Sequence, residues 1–487
     1  MAISDHSPSP EIDYHRKWYV MAAIAIGIFM ATIDGSIVNV ALPTLVKDLN
    51  TNLSIIQWVV LVYLLTLSTL LLSVGRLADI KGKKRIYTSG FVIFTLGSLF
   101  CGLSSNVNWL IISRVIQAAG ATMIIALGTA IVTEAFPPRE LGLALGITGT
   151  MVSTGIVIGP TLGGLLLSIT TWHWIFFVNL PLGVLGIILS IRFIPSTRPQ
   201  GGQRFDFLGA FTMLASLLLF LISLTFGQLY GFISPLVLIM LFSSGLLLCA
   251  FVLIEQRTSQ PMIDLRLFNN KLLSINLITG FLTFFSIAGT TFLMPFYLQN
   301  VLGFNLRQIG LLMATVPVAM GIVAPISGAL SDRWGSRRIT VIGLGILLIG
   351  YYSISNLNQQ TNVTEYIMRF LPIGLGMGIF QSPNNSAIMG AAPRERLGVV
   401  SGILAINRTI GQTTGIAIMG AIWSSLVLKY TGGGLSVQAT DALPAFQVAG
   451  LQSTLMITVI LIFLALVLSL WALITELRAK SVLMVNP

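Results

Sequence analysis

The sequence predicts an all-α polytopic membrane protein, and three observations carry that reading. The residues AVILMFWYC make up 55% of the 487-residue chain, and 47 glycines come on top of them. Charged residues are only 9%, against ~25% in an average soluble domain, too few to coat a soluble protein this apolar. The apolar residues fall in runs near the ~20 that a helix needs to cross a ~30 Å hydrocarbon core, and mean hydropathy is +0.91. Hydrophobicity this high excludes disorder. A disulfide scaffold is excluded because the only cysteines, Cys101 and Cys249, both lie in apolar runs. The three histidines, His6, His15 and His173, have no metal-ligand spacing, so neither a metal nor another cofactor is expected.

The spans read in order as follows. Residues 1–17 are polar and mildly acidic with no small-residue cleavage site after them, so the run 18–42 is expected to be a true first span. Runs 55–74 and 86–103 flank a basic loop, and 108–133 and 141–168 are parted by a short turn holding Arg139. Run 173–194 leads into a stretch with Arg192, Arg198 and Arg204, after which come 207–226 and 233–254. Runs 272–298 and 308–330 precede a second basic loop, and 339–355, 365–391, 398–428 and 452–476 complete fourteen spans.

The net charge of +11 is better explained by cytoplasmic loops, which collect Lys and Arg, than by a nucleic-acid partner. With the first residues inside and the chain alternating, 21 of the 27 basic residues fall in loops on one side, and only Lys47, Arg307 and Lys429 fall on the other. Both termini are therefore expected in the cytoplasm. Arg114, Arg369 and Arg408 lie within spans, as does one acid, Asp34. Ionisable groups at that depth cost ~2.5–3.5 kcal/mol each on insertion scales and normally face a cavity with work to do.

Two loops repeat each other. GRLADIKGKKR at 75–85 and GALSDRWGSRR at 328–338 place Gly75, Leu77, Asp79, Gly82, Lys84 and Arg85 opposite Gly328, Leu330, Asp332, Gly335, Arg337 and Arg338 at identical spacing. Each follows an even-numbered span, and secondary transporters are commonly built from such repeats. This loop resembles the signature of the major facilitator superfamily. RVIQAAGA at 114–121 is similar to the superfamily's Arg-containing span-4 motif, with Ala118 where Gly is usual. GIVIGPTLGG at 155–164 resembles its antiporter motif, and FMATIDGSIVNVALP at 29–43 resembles the span-1 motif of the fourteen-span drug:proton antiporter family, the EmrB/QacA type. Stretches 172–181 and 407–415 are also similar to that family. The resemblance implies a major facilitator fold: a six-helix bundle at 18–194, a linker at 195–271 with two extra helices, a second bundle at 272–476, and cytoplasmic tails at 1–17 and 477–487.

What the motif residues can do follows from their chemistry. Asp34 lies 16 residues above Trp18 and Arg114 six residues after Asn108, ~24 Å and ~9 Å from opposite faces at 1.5 Å per residue, hence at similar depth. Burial favours a neutral carboxyl and a nearby cation favours a charged one; a carboxyl between the two can exchange a proton and, when charged, attract a cationic compound. Asp34 and Arg114 are the proton-coupling candidates. Gly155, Gly159 and Gly163 share one helix face, which permits close helix approach, and Pro160 and Gly164 complete the motif that the resemblance links to antiport. Gly75, Asp79, Gly82, Arg85, Glu134 and Asp332 form a candidate gate, with Glu134 placed to meet Arg85 or Lys83. Gln381, Asn384 and Arg408 join Asp34 as candidate substrate contacts, since polar groups on apolar spans face a cavity or a neighbouring helix.

The expected function is proton-driven export of hydrophobic cationic or neutral compounds across the inner (plasma) membrane. Its partners would be the small-molecule substrate, protons and the lipid bilayer, with any envelope adaptor a separate chain. The same scaffold also suits export of a lipid, a cell-envelope precursor or an endogenous metabolite. No Walker-type phosphate loop points to ATP, and no catalytic constellation points to an enzyme. Cysteines introduced at position 201 should be accessible from the cytoplasm and at position 434 from outside; the reverse labelling pattern would break the fourteen-span map.

Overall fold

The computed structural model describes residues 16–137, 140–195, 206–258, 269–390, 397–431 and 438–485. Positions 201 and 434 lie outside the described residues. The first half contains α1 (Lys17–Asp48), α2 (Leu53–Ile56), α3 (Trp58–Lys81), α4 (Lys83–Gly102), α5 (Val107–Ala135), α6 (Leu141–Ile169), α7 (Trp174–Phe177) and α8 (Asn179–Phe193). A hairpin of α9 (Phe207–Tyr230) and α10 (Pro235–Arg257) follows. The second half contains α11 (Lys271–Phe296), α12 (Leu306–Met313), α13 (Thr315–Trp334), α14 (Ser336–Ile354), α15 (Val363–Gly390), α16 (Leu397–Tyr430) and α17 (Pro444–Val485). Among the described residues, fourteen helical stretches are long and apolar enough to cross a membrane, and each coincides with an expected span.

Spans 2 and 10 are locally irregular at Gln57, between α2 and α3, and at Ala314, between α12 and α13, though both residues keep right-handed α dihedrals. Span 9 ends in a π turn, Tyr297–Val301. Helix starts have local causes. The Asn52 side chain accepts from the Ile55 amide at 3.0 Å, Asn106 caps the Trp109 amide at 2.9 Å, and Asn305 and Gln308 form a reciprocal capping box. The final helix begins eight residues before the expected 452 because Pro444 suits a first helical position, and it runs through the stretch expected as a tail as far as Val485.

The internal repeat is reproduced in the backbone. Gly82 joins α3 to α4 at φ 92° and ψ 132°, and Gly335 joins α13 to α14 at φ 87° and ψ 136°. Both amides donate to the preceding helix, Gly82 to Ala78 O at 2.8 Å and Gly335 to Ser331 O at 2.9 Å. A side chain at this φ is strained, which is why both loops need glycine there.

Glycine also sets helix spacing. A Cβ at Gly97 of α4 would lie 2.5 Å from the Gln117 Cα of α5, so the two backbones are nearly in contact. The hairpin is central in the chain but peripheral in space. Ser216 and Ser244 hydroxyls donate to each other's carbonyls at 2.9 Å, tying α9 to α10. The Trp58 indole donates to Thr225 Oγ1 at 2.9 Å, tying α3 to α9. Outward faces carry exposed Ile188, Phe242, Ile349 and Phe463, the side chains a bilayer would cover. Gly82→Ala and Gly335→Ala should each destabilise the fold by about 1–3 kcal/mol, read as a lower Tm in detergent; an unchanged Tm in both would show that these turns tolerate a side chain.

Candidate functional site

The first half is organised around a buried charge pair. Asp34 of α1 is 0% exposed and Arg114 of α5 is 1% exposed. Arg114 Nη1 donates to Asp34 Oδ2 at 2.6 Å. Asp34 Oδ1 accepts from Gln117 Nε2 at 2.7 Å and from Asn179 Nδ2 of α8 at 2.9 Å. The guanidinium is held on its other sides as well. Its Nε donates to Val59 O of α3 at 2.9 Å, Nη1 also donates to Gln117 Oε1 at 2.6 Å, and the Tyr63 ring lies 4.2 Å away. Gln117 Nε2 reaches Ser98 Oγ of α4 at 2.7 Å. Five spans of one half thus meet in one network around a single carboxylate, with α5 and α8 donating to it directly.

The expected pairing of Asp34 with Arg114 is present, and the spans that supply its support are wider than the sequence reading placed there. Gln117, Asn179, Ser98 and Tyr63 were outside the candidate set. Two of them had a signal: Gln117 is one turn from Arg114 in the span-4 motif, and Asn179 falls in the 172–181 stretch. Asp34 is enclosed within its own half, with all its partners there, and offers no open carboxylate to a substrate in this state.

The glycine face of α6 lies on α1. A Cβ at Gly155 would approach Thr32 Cβ at 2.8 Å, at Gly159 Ser36 Cβ at 2.9 Å, and at Gly163 Ile37 Cγ1 at 2.8 Å. Ser36 Oγ donates to Gly155 O at 3.1 Å, crossing the same contact. Gly164 faces the other half instead, where a Cβ would come within 3.0 Å of Gly310 Cα, and a Cβ on Gly310 would strike Pro160 O. These residues sit at the outer end of spans 5 and 10. A second contact between halves lies at the same level: a Cβ on Gly420 would meet Gln57 Oε1 at 3.0 Å and Phe292 Cε1 at 3.1 Å. Together they close the outer end of the seam.

At the cytoplasmic end, Lys83 pairs with Glu134, as expected for one of its two candidate partners, and Lys17 Nζ pairs with Glu140 Oε2 at 2.5 Å. Arg337 pairs with Glu476. Each of these three pairs lies within one half. Gly75 and Asp79 fall on α3, Arg85 is exposed on α4, and Asp332 falls on α13.

In the second half, Asn384 Nδ2 donates to Asn276 O at 3.2 Å and Asn407 Nδ2 donates to Leu277 O at 2.9 Å. Arg408 is half-buried and lies 5.4 Å from the Phe284 ring centre. Gln381 is half-buried on α15. Arg369 is committed elsewhere, to Glu365 Oε1 at 2.6 Å and Ser353 O at 2.6 Å near the outer end of span 12. Asp34 and the group Gln381, Asn384 and Arg408 therefore belong to separate halves, with no described contact joining them.

Comparison with known proteins gives this architecture its family. Residues 24–416 match the model of the Major Facilitator Superfamily. The chain is 35% identical over 413 residues to the riboflavin transporter RibZ of Clostridioides difficile (strain 630), covering 84% of this chain and 89% of that one. It is 33% identical over 413 residues to the multidrug resistance protein Stp of Mycobacterium tuberculosis (strain ATCC 25618 / H37Rv), covering 84% and 77%. Among solved structures it is similar to a bacterial homolog of the human lysosomal transporter Spinster in an inward-facing, unoccupied conformation, with TM-score 0.66 and 18% identity over 97% of this chain and 99% of that one. A POT family transporter in complex with 5-aminolevulinic acid gives TM-score 0.67 at 15% identity, covering 93% and 96%; at these identities the likeness concerns fold alone. With fourteen spans, a repeated loop and a family match over most of its length, the chain belongs to the Major Facilitator Superfamily and is a multi-pass membrane transporter rather than an enzyme.

Proposed function

We propose that the chain is a proton-coupled secondary exporter of hydrophobic organic compounds, of the fourteen-span drug:proton antiporter type, working by alternating access in the inner (plasma) membrane. The observation that carries this reading is the buried Asp34–Arg114 pair with its Gln117 and Asn179 donors. Asp34 is the one acid that the sequence places deep in a span. Protonating it would leave Arg114 an uncompensated buried cation, a loss of about 3–5 kcal/mol when one partner of such a pair is removed. Relief comes from moving α1 against α5, which links proton occupancy to shape. One proton crossing ~100 mV releases ~2.3 kcal/mol, enough to drive accumulation against a useful gradient.

The remaining motif residues are proposed in supporting roles. Gly155, Gly159 and Gly163 let α6 lie on α1, so a change at Asp34 is passed to the span that carries Pro160 and Gly164 at the outer seam. Gly75, Asp79, Gly82, Arg85, Glu134 and Asp332 shape the cytoplasmic turns, where breaking or making ion pairs sets access from inside. The two bundles, 18–194 and 272–476, are the bodies that rock, and 195–271 carries the hairpin between them. Multidrug relatives favour a drug substrate, while the riboflavin relative favours a dedicated metabolite on the same scaffold.

In inverted vesicles or proteoliposomes under an imposed pH gradient, Asp34→Asn should abolish substrate-triggered proton release while the protein still inserts and folds. Coupled flux at the wild-type rate in that variant would remove Asp34 from the mechanism. Asp79→Ala should slow turnover more than it weakens substrate binding, measured by transport rate against equilibrium binding. The opposite split would count against a gating role.

A further inference from the structure

Among the described residues deep in a span, one arginine has no acid paired with it. Asp34 is matched by Arg114, and Arg369 by Glu365. Lys83 and Glu134 match each other at the cytoplasmic end of their spans. Arg408 has no acidic partner among the described residues. It lies 11 residues into α16, ~16 Å from the cytoplasmic end at 1.5 Å per residue, well inside the hydrocarbon zone.

Its surroundings can be read from the rest of its helix. Gly411 and Gly415 are seated on the backbone of α11 at Phe281 and Phe285. Ile410 and Thr413 meet α3 and α9 around a small cavity with Ser68 and Leu217. Arg408 lies one turn before Gln412, beside the face that meets α11, with its guanidinium 5.4 Å from the Phe284 ring centre and part of its surface open. An ionisable side chain this deep in a span faces the protein interior or a water-filled cavity rather than lipid.

Amide side chains lie on α16 and on the helices packed with it. Gln412 is half-buried one turn above. Asn276 and Asn384 are 5% and 2% exposed, and Asn276 Nδ2 and Asn384 Oδ1 have no hydrogen-bond partner among the described residues. Buried amide groups without partners are rare in folded proteins and call for an explanation, a bound water or ligand among them. A Cβ on Gly280 would lie 3.3 Å from Asn384 Nδ2 and 3.4 Å from Asn407 Nδ2, so that glycine keeps the amide cluster open. The contrast with the first half is direct. There an arginine stacked on an aromatic ring has its carboxylate built in; here the stacked arginine lacks one.

We infer that the missing counter-charge arrives with the substrate: the cleft takes a compound with an anionic head, a carboxylate or phosphate, that pairs with Arg408. A guanidinium presents a planar fork that suits both groups and repels a cationic compound. The inference deepens the exporter reading and rests on it for the direction of transport, but the binding preference itself does not depend on proton coupling.

The test uses the purified full chain in phosphatidylcholine liposomes with no pH gradient. Three probes share one aromatic body: 1-pyrenebutyrate, 1-pyrenebutanol and 4-(1-pyrenyl)butyltrimethylammonium. Binding is read by energy transfer from tryptophan to pyrene. The wild type should bind the carboxylate at least about tenfold tighter than the ammonium probe, as a charge-assisted contact requires. Arg408→Gln should erase that preference while binding of the alcohol stays within about twofold, and Arg408→Lys should keep most of it. A merely structural arginine would instead lower Tm and shift all three probes together. Displacement of pyrenebutyrate by lysophosphatidylglycerol would extend the class to lipid headgroups; no displacement, with the preference intact, would confine it to soluble anions. Tighter binding of the ammonium probe by the wild type overturns the inference whether or not any variant folds, and so does an Arg408→Gln protein with normal Tm and an unchanged preference. Proton flux measured in parallel separates the two readings. Charge preference without flux removes the coupling alone, and Asp34-dependent flux without charge preference removes the anion site alone.

Discussion

A carboxylate and a guanidinium with almost no exposure to water cannot be tolerated singly, and the first half of this transporter is built to keep them together. Neither ion could be left unpaired in hydrocarbon. Asp34 accepts from Arg114, Gln117 and Asn179, and Arg114 is also tied to Val59 O. These contacts fix α1, α3, α5 and α8 relative to one another in a way that apolar packing, which has no direction, could not. The close α4–α5 contact at Gly97 and Gln117 belongs to the same arrangement, because it brings Ser98 within reach of Gln117. Small residues set the distances and the charge pair sets the register.

The second half repeats the architecture and omits the pair. The turns at Gly82 and Gly335 have nearly the same dihedral angles, so the backbone of the repeat has been kept. The side chains that fill it have diverged: one half pairs its buried charges, and the other carries an arginine with no acid paired to it among the described residues and a set of asparagine amides bonded to α11.

Much of this was legible beforehand, for physical reasons that differ by element. The spans were legible because hydrocarbon demands a length of apolar helix. Asp34 and Arg114 stood out because an ion inside such a run is costly, and their equal depth made a contact plausible. The α6 glycine face was legible from its four-residue step. Hidden were the irregularities at Gln57 and Ala314, which disturb no apolar pattern, and the roles of Ser98 and Asn179. A lone small polar residue in a span has the same local signature whether it bonds its own helix or a distant one: Thr122 returns to Ala118 O within its helix, whereas Asn179 reaches Asp34. Nor could the sequence show that Asp34 is enclosed, since that depends on which helices converge.

The hairpin α9–α10 has a consequence for how the bilayer meets this molecule. Two halves packed against each other leave two lateral seams, equivalent in a twelve-span scaffold of pure twofold design. Here α9 stands against α3 and α16, bonded through Trp58 and Thr225, and so screens one seam. The flanks become unequal. A molecule dissolved in the membrane meets the α9–α10 hairpin on one side and α6 packed on α12 and α13 on the other, so the two flanks present different surfaces to lipid.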